Sequence, residues 1–118
     1  MADAPSGTSG APQPTISTHV LDTEAGRPAV GVHVTIYKLG EDDRPIRLSQ
    51  VLTDADGRVK DLLERPLSPG TYRLEFRTPG EDGFFARLSV DLRVEDTSRS
   101  YHVPLLLAPF SLTTYRGS

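Results

Sequence analysis

Hydrophobic and polar positions alternate with a period of two along most of this 118-residue chain, which is the signature of half-buried β-strands. In "TISTHVLD", Ile16, Thr18 and Val20 fall on one side, with Ser17, His19 and Leu21 on the other. "GVHVTIYKL" is dense in β-branched residues and stops at the turn Gly40-Glu41-Asp42-Asp43. "IRLSQVLTD" and "RVKDLL" flank Ala55-Asp56-Gly57, a tight-turn signal because glycine tolerates positive φ. "TYRLEFRT" lies between Ser68-Pro69-Gly70 and Pro79-Gly80, and "FARLSVDLRVE", "YHVPLLLAP" and "SLTTYRG" complete the set. These eight segments predict an all-β sandwich of seven to eight strands, with at most one short helical turn near Glu81 to Phe85.

The strand "YHVPLLLAP" departs from simple alternation, being apolar on both faces. With Val103, Leu105 and Leu107 turned into the sandwich, His102, Pro104 and Leu106 turn out. Pro104 and Leu106 would then be exposed apolar surface, and the simplest cover is another copy of the chain. A homo-oligomer is therefore expected; the alternative is cover by the chain's own loop.

Composition narrows the picture. The length suits one domain with a modest core. "MADAPSGTSGAPQPT" is small, polar and rich in Pro and Gly, so residues 1–14 are expected to form a disordered arm before a domain spanning 15–118. The arm lacks the basic start and apolar centre of a secretory signal, which leaves a cytoplasmic location as the default expectation. A net charge of −3 provides no footprint for nucleic acid or an anionic membrane, and no apolar run approaches the length of a membrane span. The absence of cysteine removes disulfides, thiolate metal sites and a cysteine nucleophile.

Candidate chemistry rests on few residues. His33 sits in a β-branched strand with nothing reactive beside it and reads as structural. His19 and His102 each fall on the outward side of their strand, where imidazole can exchange protons near neutral pH. Arg58, just after Asp56-Gly57, is either a solvated cation or a planar fork for a carbonyl or oxyanion. Arg116 poses the same choice. Phosphate loops, a nucleophile elbow and an HExxH pair are missing. Two separated histidines without a clear third ligand do not make a zinc site, although Asp22 offers a carboxylate. Neither a metal nor a cofactor is expected. Ser17 shares a face with His19 but is out of line for a serine triad, so a positioned water is the simpler nucleophile.

"STHVLDTEAGRPAVGV", "TDADGRV", "PGTYRLEF" and above all "YHVPLLLAPFSLTTYRGS" resemble the 5-hydroxyisourate hydrolase family of transthyretin-related proteins, from about Thr15 to Ser118. The first and last segments are specific, whereas the middle two also occur in unrelated prealbumin-like modules. The chain departs from the family pattern in three places. It has only "TPGEDGFFARL" where a longer segment with a helix is usual. Ala86 and Arg87 stand where a proline is expected. Ala108-Pro109-Phe110 replaces Ser-Pro-Tyr.

The resemblance implies a transthyretin-like Greek-key sandwich assembled as a homotetramer, with active sites at the contact between dimers. It also implies hydrolysis of 5-hydroxyisourate in urate breakdown without a cofactor. By motif, His19, Arg58 and His102 would be catalytic, either histidine serving as base. Tyr115, Arg116, Gly117 and Ser118 would form the substrate-binding tail, with Tyr115 and Ser118 as preferred wall residues. Two rivals are a transthyretin-like ligand carrier, which needs neither histidine nor Arg58, and an adhesin-type structural sandwich. The Lys–Asn crosslink of such adhesins fails because the chain has no Asn, leaving a Lys–Asp link through Lys38 or Lys60.

Overall fold

A computed structural model describes residues 13–117. Residues 1–12, which hold most of the expected arm, and Ser118 lie outside the described residues. The strands are β1 (Ile16–Asp22), β2 (Arg27–Pro28), β3 (His33–Leu39), β4 (Pro45–Leu52), β5 (Arg58–Val59), β6 (Gly70–Arg77), β7 (Arg87–Val94), β8 (Tyr101–Ala108) and β9 (Ser111–Thr114). They form two sheets. The first runs β9-β8-β1, with β2 and β5 sharing the far edge of β1; the second runs β4-β3-β6-β7. Pairing is antiparallel except between β1 and β8, which run parallel over seven residue pairs, Ile16 with Tyr101 through Asp22 with Leu107. The all-β sandwich expected from the alternation is thus the fold, with the Greek-key order that the resemblance implied.

The period-two pattern becomes the core. Ile16 and Val20 of β1 and Val103, Leu105 and Leu107 of β8 pack against Val34 and Ile36 of β3 and Tyr72, Leu74 and Phe76 of β6, all buried. Each fully buried aliphatic or aromatic side chain stabilises the sandwich by about 1.5–3 kcal/mol. The buried Tyr72 hydroxyl donates to the Ser68 carbonyl (3.2 Å) and accepts from the Ser68 amide (3.1 Å), fixing the entry to β6. Lys38 lies over the Tyr72 ring and donates to Ser68 Oγ (2.7 Å), Ser68 O (3.1 Å) and Pro69 O (2.8 Å). The Lys38 ammonium is thus engaged by neutral oxygens, not by a carboxylate as the crosslinked rival would need.

Four local expectations differ. "RVKDLL" is a strand only at Arg58–Val59, because Leu62 and Leu63 are adjacent and both buried, which a one-sided strand cannot achieve. The Asp61 carboxylate curls the chain there, accepting the amides of Leu63 (3.1 Å) and Glu64 (2.9 Å) and the Thr15 hydroxyl. β2 went unforeseen, being two residues long and containing a proline. The short helical turn is at Glu41–Asp43, interrupted by left-handed Asp42, and not at Glu81 to Phe85. That second segment is closed as a loop by Thr78, which donates through its hydroxyl to Phe85 O (2.6 Å) and through its amide to Ala86 O (3.1 Å).

The fourth correction concerns the outer face of β8. Pro104 is buried and Leu106 half-buried within the single chain. β8 is an interior strand, shouldered by β1 and β9, so its outward side chains are screened from both sides. The exposed apolar strip that pointed to a partner is therefore much reduced. No helix among the described residues is long and apolar enough to cross a membrane.

Phe76 sits at the centre of the sandwich, and its replacement by Ala should lower the unfolding free energy by about 3–5 kcal/mol in urea titrations, through lost transfer energy and an unfilled cavity.

Candidate active site

Parallel pairing of β1 with β8 places Ser17 opposite His102 and His19 opposite Pro104, although the segments are far apart in sequence. Thr18, between Ser17 and His19, turns inward, is buried, and donates its hydroxyl to Val103 O at 2.6 Å. Ser17 and His19 therefore face outward on β1, as His102 does on β8, where Val103 is buried. Ser17 Oγ lies 2.9 Å from His102 Nδ1. The sequence placed Ser17 beside His19 and found no role for it; strand pairing gives it to the other histidine.

Arg58 joins this face from the opposite edge of β1, directly across from His19. The loop before it is built by Asp54, whose Oδ1 accepts the amides of Asp56 (2.9 Å) and Arg58 (3.0 Å). Those bonds, Arg58's first, hold the Asp54 carboxyl below its ordinary pKa. Gly57 is required twice over. Its φ is +74°, and a Cβ there would stand 2.4 Å from the Val20 carbonyl oxygen. The same close approach lets Gly57 O accept the Val20 amide at 2.7 Å, locking the loop onto β1. Val59 points into the core, so Arg58 points out. Ser17, Arg58, Lys60 and His102 together line an open cleft of about 260 Å³.

The tail approaches His102 from its other side. Gly117 donates its amide to His102 O at 2.7 Å, and a Cβ on Gly117 would come within 2.7 Å of His102 Cδ2. The glycine is needed because the imidazole edge occupies the space a side chain would fill. Tyr115 and Arg116 are exposed, and both line a second cleft of about 280 Å³ that also borders His102. The Arg116 guanidinium sits 5.1 Å from the centre of the Tyr101 ring.

The site residues named by motif thus split cleanly. His19, Arg58 and His102 share one sheet face; Tyr115, Arg116 and Gly117 reach His102 from the neighbouring edge; Ser118 lies outside the described residues. His33 is exposed in the other sheet, opposite Leu52 and Arg77, away from this face. Ser17 was weighed only as a partner for His19 and Lys60 only as a crosslink donor, while Asp54 was not named. Only Asp54 left a local signal, an acidic side chain four residues before Arg58 in a turn. Partial burial, then the nearby Arg58 guanidinium and the neighbouring His19, lower the His102 pKa. That favours the neutral imidazole, the form a base requires. Among the described residues no three His, Asp or Glu side chains gather as metal ligands.

A two-sheet sandwich with imidazole, guanidinium and hydroxyl groups gathered on one face defines a transthyretin-type fold carrying a polar, solvent-open site. The chain belongs to the HIUase/Transthyretin family, whose sequence model matches residues 16–117. It is 40% identical over 111 residues to a 5-hydroxyisourate hydrolase of Salmonella dublin, covering 87% of this chain and 80% of that protein. Among solved structures it is similar to the 5-hydroxyisourate hydrolase of Klebsiella pneumoniae, with a TM-score of 0.76 and 35% identity over 89% of this chain and 99% of that one. It is also similar to sea bream transthyretin in complex with thyroxine, with a TM-score of 0.79 and 29% identity over 86% of this chain and 93% of that one.

A proton-NMR titration should place the His102 midpoint below the ordinary imidazole value of ~6.5. Replacing Arg58 by Ala removes one of the charges that lowers it, so the midpoint should move up. A midpoint indifferent to Arg58 would separate the two groups.

Proposed function

We propose that this chain hydrolyses 5-hydroxyisourate to 2-oxo-4-hydroxy-4-carboxy-5-ureidoimidazoline, opening the six-membered ring at its amide-type bond in urate breakdown. Family membership and the hydrolase relatives support the reaction. The convergence of His19, Arg58 and His102 on one face carries the assignment to residues. It favours the hydrolase over the ligand carrier, which has no need of an imidazole held neutral beside a guanidinium.

In this reading His102 is the general base. Nδ1 keeps its proton by donating to Ser17 Oγ, and Nε2 takes a proton from the attacking water. The water oxygen bonds to the ring carbonyl carbon, and charge gathers on the carbonyl oxygen. Arg58 holds that oxygen and steadies the charge with a fixed positive fork. Collapse of the tetrahedral intermediate breaks the C–N bond. The leaving nitrogen takes a proton from His19 or from the His102 imidazolium, completing the addition of one water. Tyr115, Arg116, Gly117 and Ser118 would bind the planar substrate along the side away from Arg58. Two dimers meeting across this face in a homotetramer would narrow the cleft and lower its dielectric. The enzyme would act in the cytoplasm, the location expected at the outset.

Freshly generated 5-hydroxyisourate, followed by its ultraviolet decay against the spontaneous rate, tests the reaction. Replacing His19 or His102 by Ala should each cut turnover by roughly 10²–10⁴-fold, the usual contribution of positioned proton transfer. Variants that match the parent rate would dismiss the roles. The acid limb of kcat/KM should lie below the ordinary imidazole pKa, because lowering His102 extends its basic form to lower pH. Light scattering should find four copies, and a fully active monomer would remove the shared cleft.

A further inference from the structure

The tail does not simply end at β9. Strand β9 pairs with β8 from Ser111 opposite Ala108 to Thr114 opposite Leu105. Gly117 then pairs with His102, which is where the same register arrives after two unpaired residues. The chain leaves the sheet edge and returns to it without slipping. Something in β8 must reject the intervening pair.

The pleat identifies it. Along β8, Val103 and Leu107 turn their carbonyls toward β1, accepting from the Thr18 hydroxyl and the Thr23 amide. His102 turns its carbonyl the other way, to the Gly117 amide. Backbone groups alternate in direction, so Pro104 also faces the tail, opposite Tyr115. An antiparallel pair at that position exchanges two hydrogen bonds, and proline has no N–H to give. Its carbonyl is taken instead by the Thr114 hydroxyl at 2.8 Å. Tyr115, released from the ladder, is 54% exposed.

We infer that Pro104 is a positioning residue: by withholding one N–H at the place where Tyr115 would pair, it lifts Tyr115 and Arg116 off the sheet edge as a short wall beside His102, while Thr114 and Gly117 fix the two ends. Its catalytic consequence rests on the hydrolase reading. The wall would orient substrate without taking part in proton transfer, so its loss falls on binding more than on the chemical step.

The test replaces Pro104 by Ala in the full chain and follows amide hydrogen exchange at Tyr115 by NMR, with ring-opening kinetics beside it. The substitution supplies the missing N–H, which donates to the Tyr115 carbonyl and closes the ladder between Thr114 and Gly117; the Tyr115 amide then donates in return to the carbonyl at position 104, and its exchange slows by about tenfold, the effect of one ordinary hydrogen bond. KM for 5-hydroxyisourate rises about tenfold, kcat changes less than about threefold, and the acid limb keeps its midpoint. Unchanged Tyr115 exchange in a folded Pro104→Ala protein overturns the inference, as does a loss confined to kcat. Thr114 provides a second variant if Pro104→Ala impairs folding. Thr114→Val raises KM and Thr114→Ser restores it; a parental KM in Thr114→Val counts against the wall. The two readings fail separately. If the parent chain opens no ring but Pro104→Ala still protects Tyr115, the released tail stands and the substrate assignment falls. If the parent hydrolyses and Tyr115 ignores the substitution, the reverse holds.

Discussion

The parallel contact between β1 and β8 is the interaction on which the remainder depends. It joins the first and the penultimate described strands side by side, with Thr18 and Val103 bonded across the seam at 2.6 Å. Parallel partners cannot be linked by a tight hairpin, so most of the chain lies between them and must be folded for the seam to close. Both strands then show alternate residues to the core and to the outer face. Inward, Ile16, Val20, Val103 and Leu105 anchor the sandwich. Outward, Ser17 meets His102. A single register sets both, and a slip by one residue would bury the imidazoles and expose the valines.

Two smaller devices bring the remaining groups to that seam. The Asp54–Gly57 turn docks backbone-to-backbone on Val20 and sends Arg58 out across from His19. Its precision comes from main-chain atoms and one carboxylate, so the guanidinium is delivered by a rigid support although it is itself exposed. At the other side, Gly117 fits against the imidazole because nothing but hydrogen stands on its Cα. His102 is thereby held by Ser17 at Nδ1 and flanked by the tail along its Cδ2 edge. Partial desolvation, with Arg58 and His19 beside it, favours the neutral form of this imidazole.

Stability and chemistry draw on the same strands but on opposite faces. Proline in an interior strand costs a ladder bond, and β8 carries one at a buried position. The loss is local because β9 has finished pairing one residue earlier, and the Thr114 hydroxyl offsets part of it. The apolar character of this strand therefore has a large intramolecular part: Pro104 and Leu106 are screened by their neighbours on β1 and β9.

The strands, their inward faces and the sandwich were legible in the residues alone, because period-two alternation is a local property that survives any choice of partner strand. Motifs also singled out His19, Arg58 and His102, along with the Tyr115–Ser118 tail, since the turn before Arg58 and the terminal strand are runs of contiguous residues. Which groups touch could be known only from the folded chain. Ser17 is two residues from His19 yet bonds His102, because strand pairing, not spacing along the chain, sets distance across a sheet. "RVKDLL" read as a strand until Asp61 and the adjacent burial of Leu62 and Leu63 required a bend. The meaning of Pro104 needed the register of β8 against the tail, since a missing N–H matters only once the atom it fails to meet is known.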